Sequence, residues 1–217
     1  MKGLLIKDFK LVKGQKSFFA FILVISVGIA AFTDNLSFMV CFLPFVFSLF
    51  TISTISYDEF DNGNAFLFTL PISRTGYAVE KYCLALLLGG GAWIFAVLLA
   101  AVFGILRGIA SFSDIAVSAV MVLPVLLLIQ TVMLPFQLKF GGEKGRIALI
   151  GSIGLVFLIG IVIVKAAQLA GIDIADLFDH LPTVSMGVMA AALILASFLL
   201  LLVSLRISIA IMKKKEF

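Results

Sequence analysis

The sequence contains few charged residues: Asp, Glu, Lys and Arg make up only 13% of its 217 residues, while 63% are hydrophobic. This composition excludes an ordinary soluble domain, in which about a quarter of the residues are charged. Cysteine and histidine are also scarce, at two and one residues. Neither Cys41 nor Cys83 has metal-ligand spacing, so we expect two small buried thiols and no metal site.

Motifs for catalysis and nucleotide binding are missing as well. The sequence has no His-Glu-x-x-His, no Gly-x-Ser-x-Gly and no Gly-x-x-x-x-Gly-Lys-Ser/Thr, which argues against a protease, a hydrolase and an ATPase. No apolar run contains a cluster of ionisable residues, and this disfavours a proton-driven transporter. The protein is therefore not expected to be an enzyme, and any ATP that drives it would be bound by another chain.

Long apolar runs fill the sequence instead. They predict six membrane spans at about 17–33, 36–57, 82–106, 115–138, 147–164 and 183–210. A helix needs roughly 20 apolar residues to cross the hydrocarbon core, and the runs lack the alternation of a β-barrel strand. The predicted fold is an all-α integral membrane protein.

Basic residues are distributed unevenly between the two sides of these spans. With both termini placed in the cytoplasm, fourteen Lys and Arg residues lie inside and only Arg107 and Lys165 lie outside. Basic residues favour the cytoplasmic side of a membrane protein. The pattern predicts cytoplasmic termini, with 213–217 as a basic tail, and contact with anionic lipid; nothing indicates nucleic acid.

Residues 1–16 have the pattern of an amphipathic helix at the inner membrane surface. Leucines, Phe9 and Val12 share one face, and most lysines share the other. Asp8 falls on the apolar face, so we expect it to pair with Arg74, Lys81 or a second subunit. The alternative is a simple basic anchor whose Asp8 extends toward water.

The segment 165–182 is the longest predicted outer connection. It is apolar between its acids, which suits a short outer helix or a re-entrant segment. Asp176 and His180 lie four residues apart, the spacing of two ligands on one helical face. A solvated surface is the favoured interpretation, with a metal site as the alternative.

The predicted inner loop 58–81 is much longer than a turn requires. It combines acids, aromatic residues and a Leu-Pro-Ile-Ser-Arg turn, residues 70–74. Such a loop is expected to bind a partner. The alternative is a solvated loop whose aromatic residues adsorb to lipid.

Several short motifs then resemble the small bacterial six-span permease subunits of ABC-2-type exporters. They are Tyr57-Asp58-Glu59, residues 70–74, Lys81-Tyr82, the N-terminal residues 4–9 and the second inner loop 135–146. The group includes permeases that export antimicrobial peptides or phenol-soluble modulins. The resemblance covers nearly the whole chain, including the number and orientation of the spans.

The resemblance implies a permease dimer, homomeric or heteromeric, in the bacterial cell membrane, with a cytoplasmic ABC ATPase that carries ATP and Mg. Loop 58–81 would hold the coupling helix, 1–16 the interfacial helix and 165–182 the outer re-entrant element. The residues expected at the ATPase interface lie in the first loop and are Asp58, Glu59, Phe60, Asp61, Phe66, Leu67, Phe68, Leu70, Pro71 and Arg74. The candidate residues of the second inner loop are Lys139, Glu143, Lys144 and Arg146, and those of the interfacial helix are Lys7, Asp8 and Phe9.

The predicted function is the membrane subunit of an ATP-driven exporter for a hydrophobic or amphipathic cargo, such as a peptide, toxin or drug-like molecule. One alternative is the substrate-capturing module of an energy-coupling importer, which binds its ligand through outer loops. Another is a non-transporting immunity or assembly protein.

Overall fold

The computed structural model describes residues 2–33, 36–60, 63–108, 112–142 and 186–215, with ten single helical positions between 144 and 165. All regular structure in these residues is helical. The helices of the continuous stretches are α1 Lys2–Gly14, α2 Lys16–Thr33, α3 Leu36–Glu59, α4 Gly63–Leu67, α5 Arg74–Arg107, α6 Phe112–Phe140 and α7 Met186–Lys214.

Five helices, α2, α3, α5, α6 and α7, are long and apolar enough to cross a membrane. They correspond to five of the six predicted spans. The other prediction, 147–164, lies outside the described residues apart from single positions, and so does 165–182 apart from Lys165. The multi-pass helical class is confirmed, and the sixth span stays a prediction.

Helices α6 and α7 run parallel to each other. Ala116 and Gly187 border one small cavity, Ser204 Oγ donates to the Thr131 carbonyl, and the Lys215 ammonium donates to the Leu138 carbonyl. Consecutive parallel helices need a chain connection that returns to the starting end of the bundle. This is the passage for which the sequence predicts span 147–164.

Both ends of the described chain lie at the same end of the bundle, which we call the α1 end. Lys7 contacts Asp58 at the end of α3, and Lys215 contacts Glu59 one residue further on. The start of α5 lies there too, because Arg74 donates to the Lys213 carbonyl. The opposite end holds Arg107, which donates to the Ala31 carbonyl at 2.6 Å.

Packing in the half of the bundle away from the α1 end relies on small residues. Ala92, Ala96 and Ala100, spaced four apart on α5, are buried, and the last two pack in a cluster with Met39 and Leu43 of α3. Small side chains let membrane helices approach closely. The contacts of these alanines with Met39 and Leu43 hold α3 against α5 and thereby position the ends of both helices.

Helix α5 begins earlier than the predicted span at 82. Ser73 is its N-cap: the Ser73 side chain accepts a hydrogen bond from the Gly76 amide at 3.0 Å. Because α3 also continues to Glu59, the connection between the two spans is residues 60–73, narrower than the predicted loop 58–81. It contains the short helix α4.

The expectation of buried thiols was wrong. Cys41 and Cys83 are free and exposed on the surfaces of α3 and α5. Membrane helices place apolar side chains outward as well as inward, so a weakly polar thiol fits the lipid-facing side of a span.

Candidate functional site

Four charged side chains form a closed ring at the α1 end, which we call the ion ring. Lys81 of α5 contacts Asp8 of α1 and, at 2.8 Å, Asp58 of α3. Lys7 of α1 contacts the remaining oxygen of each carboxylate, Asp8 Oδ1 at 3.0 Å and Asp58 Oδ1. Cations and anions therefore alternate around the ring, and three helices are joined.

The ion ring is largely removed from water. Asp8 and Lys81 are fully buried, and Asp58 is 8% exposed, whereas Lys7 is partly exposed. Taking such charges out of water costs several kcal/mol per ion. Mutual pairing offsets this cost, so each member depends on the others. Lys81 is one of the partners expected for Asp8 from the sequence.

Further polar groups complete the surroundings of Lys81. Thr54 Oγ1 accepts from the Lys81 ammonium at 3.1 Å, and the Tyr77 hydroxyl donates to Asp58 Oδ2 at 3.0 Å. Glu80 is also buried, with its Oε2 atom 3.7 Å from the same ammonium. These contacts fix the position of Lys81 between α3 and α5.

A second polar cluster, the Glu59 clasp, joins α3 to the ends of α6 and α7. Glu59 Oε2 accepts from the Gly142 amide at 2.8 Å, and Glu59 Oε1 accepts from the Lys215 ammonium at 3.0 Å. The same ammonium donates to the Leu138 carbonyl, one of the unpaired carbonyls in the last turn of α6. Glu59 thus links the two predicted inner loops.

Arg74 ties the start of α5 to this clasp. Its guanidinium donates to the backbone carbonyls of Lys213 at 3.2 Å and Lys215 at 2.5 Å. A cation near the carbonyl end of α7 is electrostatically favourable. Both ends of the 60–73 connection are therefore anchored in charged clusters, the ion ring and the Glu59 clasp.

The 60–73 connection carries three exposed apolar side chains. Phe60 is 73% exposed, Phe66 is 70% exposed and Leu70 is 44% exposed. Leu67 and Phe68, predicted at the ATPase interface together with Phe66, instead pack on the core, with the Phe68 ring 5.6 Å from that of Tyr77. The following turn contains Pro71, which is exposed; Asp61 lies outside the described residues.

The second predicted inner loop is described only in part. Lys139 in the last turn of α6 and Lys144 are exposed, while Glu143 and Arg146 lie outside the described residues. Gly141 has φ +81°, and a Cβ atom there would lie 2.6 Å from Glu59 Oε2. Only glycine suits this backbone and this close approach.

A family described as "ABC-2 family transporter protein" matches residues 3–213 of the sequence. The chain belongs to the ABC-2 transporter family. This confirms the resemblance to ABC-2-type permeases, and it identifies a membrane component of a transporter. Neither the curated proteins nor the solved structures contain a match to this chain.

The members of the site in this ABC-2 family protein that were not predicted from the sequence include Tyr77 and Lys215. Tyr77 was missed because helix α5 was expected to begin at 82, although Ser73 after Pro71 is a recognisable N-cap signal. Lys215 was assigned to a basic tail, and its contact with Glu59 spans 156 residues. No local pattern could have revealed that pair.

Proposed function

We propose that this protein is the permease subunit of an ATP-driven exporter, and that a separate ABC ATPase binds its α1 end. The observation that carries the proposal is the exposure of Phe60, Phe66 and Leu70 on a connection whose two ends are fixed in charged clusters. Exposed aromatic and leucine side chains on a connection between spans are available to anchor a partner protein.

The anchoring of the connection supports a coupling role. A partner that grips the 60–73 connection and moves would pull on α3 through Asp58 and Glu59 and on α5 through Arg74. The Glu59 clasp would extend this pull to α6 and α7, because Glu59 bonds to Gly142 and Lys215. Packed helices move as rigid bodies, so a force at their ends reaches the whole span.

The remaining parts of the proposal follow from the sequence. The α1 end is cytoplasmic, α1 contacts membrane lipid, and the permease forms a dimer, homomeric or heteromeric, in the bacterial cell membrane. ATP and Mg reside on the partner ATPase. The cargo moves outward and is hydrophobic or amphipathic, which is supported by the lack of Asp, Glu, Lys and Arg within residues 82–106 and 115–138.

The test is affinity purification of the permease from its native membrane, followed by a search for a co-purifying ATPase. Phe60→Ala, Phe66→Ala and Leu70→Ala should each weaken this association by about tenfold or more if they are interface hot spots. Phe32→Ala is the matched control, because Phe32 is 92% exposed and lies in the last turn of α2, at the end of the bundle opposite the α1 end. The control should retain the association.

Three outcomes would contradict the proposal. The first is association that is unaffected by the three substitutions at the connection. The second is tight small-molecule binding by the isolated chain, which would indicate a capture module. The third is protection against a toxic peptide without any ATPase, which would indicate an immunity protein.

A further inference from the structure

Helix α1 contributes two adjacent residues, Lys7 and Asp8, to the ion ring. Asp8 is fully buried, and its partner Lys81 lies 73 residues further along the sequence. Part of the apolar side of α1 also packs inward on α3 and α5: Leu4 is buried in the same cluster as Ile55 and Tyr77, whereas Phe9 is 44% exposed.

We infer that Lys81 is a positioning residue that makes the docking of α1 and the placement of the 60–73 connection a single equilibrium. The inference deepens the proposed function and rests on it only for the identity of the partner at the connection. It assigns α1 a role in regulating how tightly the ATPase binds.

The argument begins with the position of Asp58. This residue lies two positions before Phe60, and its two carboxylate oxygens are shared between Lys7 and Lys81. If α1 left its place, Lys7 and Asp8 would leave with it. Asp58 would then lose one of its two cations, and Lys81 would lose one of its two carboxylates in the ion ring. A buried charge cluster that loses members is strongly destabilised. The end of α3 would then have to move or admit water.

The same link operates in the opposite direction. A partner that binds the connection and fixes Phe60 also fixes Asp58, and thereby favours the docked arrangement of α1. Two events linked through one equilibrium influence each other by the same factor. Substitutions in α1, away from the exposed apolar surface of the connection, should therefore change the affinity for the partner.

Hydrogen–deuterium exchange of the full-length permease in lipid nanodiscs, without ATPase, tests the link. Asp8→Asn should raise exchange of α1 amides, and also of residues 54–60, on the order of tenfold or more. Lys10→Met is the matched control, since Lys10 is an exposed lysine of α1 that belongs to no pair in the ion ring. It should leave exchange at 54–60 unchanged.

Lys7→Met and a double variant distinguish loss of this link from general misfolding. Lys7 is partly exposed, so its loss should produce the same pattern in weaker form. Asp8→Asn with Lys81→Met removes an opposite-charge pair together, and its effect should be smaller than the sum of the two single effects. Additive effects would overturn the inference, as would faster exchange confined to α1.

The ATPase gives a separate readout. Asp8→Asn should weaken ATPase binding severalfold, although Asp8 is buried and cannot touch a partner. Unchanged ATPase affinity together with faster exchange at 54–60 would overturn the regulatory role. If the wild-type permease binds no ATPase at all, the proposed function fails, while the exchange experiment still decides whether α1 and the connection are linked.

Discussion

The Lys215 ammonium lies 3.0 Å from Glu59 Oε1, a contact that joins the C-terminal end of α7 to the last residue of α3. The same ammonium bonds to the Leu138 carbonyl at the end of α6. Three spanning helices therefore converge on one ion pair. Because the pair is mostly buried, with side chains 23% and 18% exposed, it should contribute more than a surface salt bridge.

Glu59→Gln should weaken this junction without removing it. The amide oxygen can still accept from either Gly142 or Lys215, but the charge is lost. Hydrogen bonds to charged groups contribute about 1.5–3 kcal/mol, so we expect a loss of about 1–2 kcal/mol. Thermal unfolding in detergent measures it. A fall in Tm with Lys215→Met but none with Glu59→Gln would contradict the pairing.

Gly141→Ala should be more damaging than an alanine at most other glycines. The backbone has φ +81°, where an alanine is strained by about 1–2 kcal/mol, and its Cβ atom would collide with Glu59 Oε2. Gly91→Ala is the control, since a Cβ atom there meets nothing within 4 Å. The comparison uses Tm in detergent; equal values for the two variants would exclude the close approach.

Tyr82→Phe tests the polar contacts between α5 and α7. The Tyr82 hydroxyl lies 2.6 Å from Ser204 Oγ and 2.8 Å from Ser208 Oγ, and all three residues are buried. Interhelical hydrogen bonds in membranes contribute about 0.6 kcal/mol on average and up to about 1.7. We expect a loss near the upper value, measured as a fall in the unfolding free energy.

Tyr57→Phe provides the comparison for Tyr82→Phe. Tyr57 is 50% exposed, and its hydroxyl accepts one longer hydrogen bond from Gln15 at 3.3 Å. This variant should be within error of the wild type. A larger loss for Tyr57→Phe than for Tyr82→Phe would contradict the assigned contacts.

Five spans and the Asp8 partner could be predicted because they depend on local patterns. Apolar runs of sufficient length can satisfy their backbone in lipid only as helices. An acid on the apolar face of α1 requires a cation, and Arg74 and Lys81 are the two basic residues of the predicted inner loop 58–81. Both arguments need only the composition and periodicity of short segments.

The sequence could not predict which apolar side chains of the 60–73 connection are exposed and which pack on the core. Phe66, Leu67 and Phe68 look alike in sequence, yet only Phe66 is strongly exposed; the other two pack on the core around Tyr77. Which side chains of the connection are exposed depends on the short helix α4 and on the direction in which α5 begins. These are set by tertiary contacts, such as that between Lys215 and Glu59.

Asp58→Asn separates two roles for the acid that the sequence assigned to the ATPase interface. Asp58 is buried and serves Lys7, Lys81 and Tyr77. Breaking a buried ion pair by removing one partner costs about 3–5 kcal/mol, and 1 kcal/mol shifts Tm by about 2–4 °C in a domain of this size. We therefore expect Asp58→Asn to lower Tm in detergent by roughly 6–20 °C, whereas Phe60→Ala should leave Tm nearly unchanged and weaken ATPase association. A variant at Asp58 with wild-type Tm and lost association would show that the carboxylate contacts the partner directly and that the ion ring is not the basis of its importance.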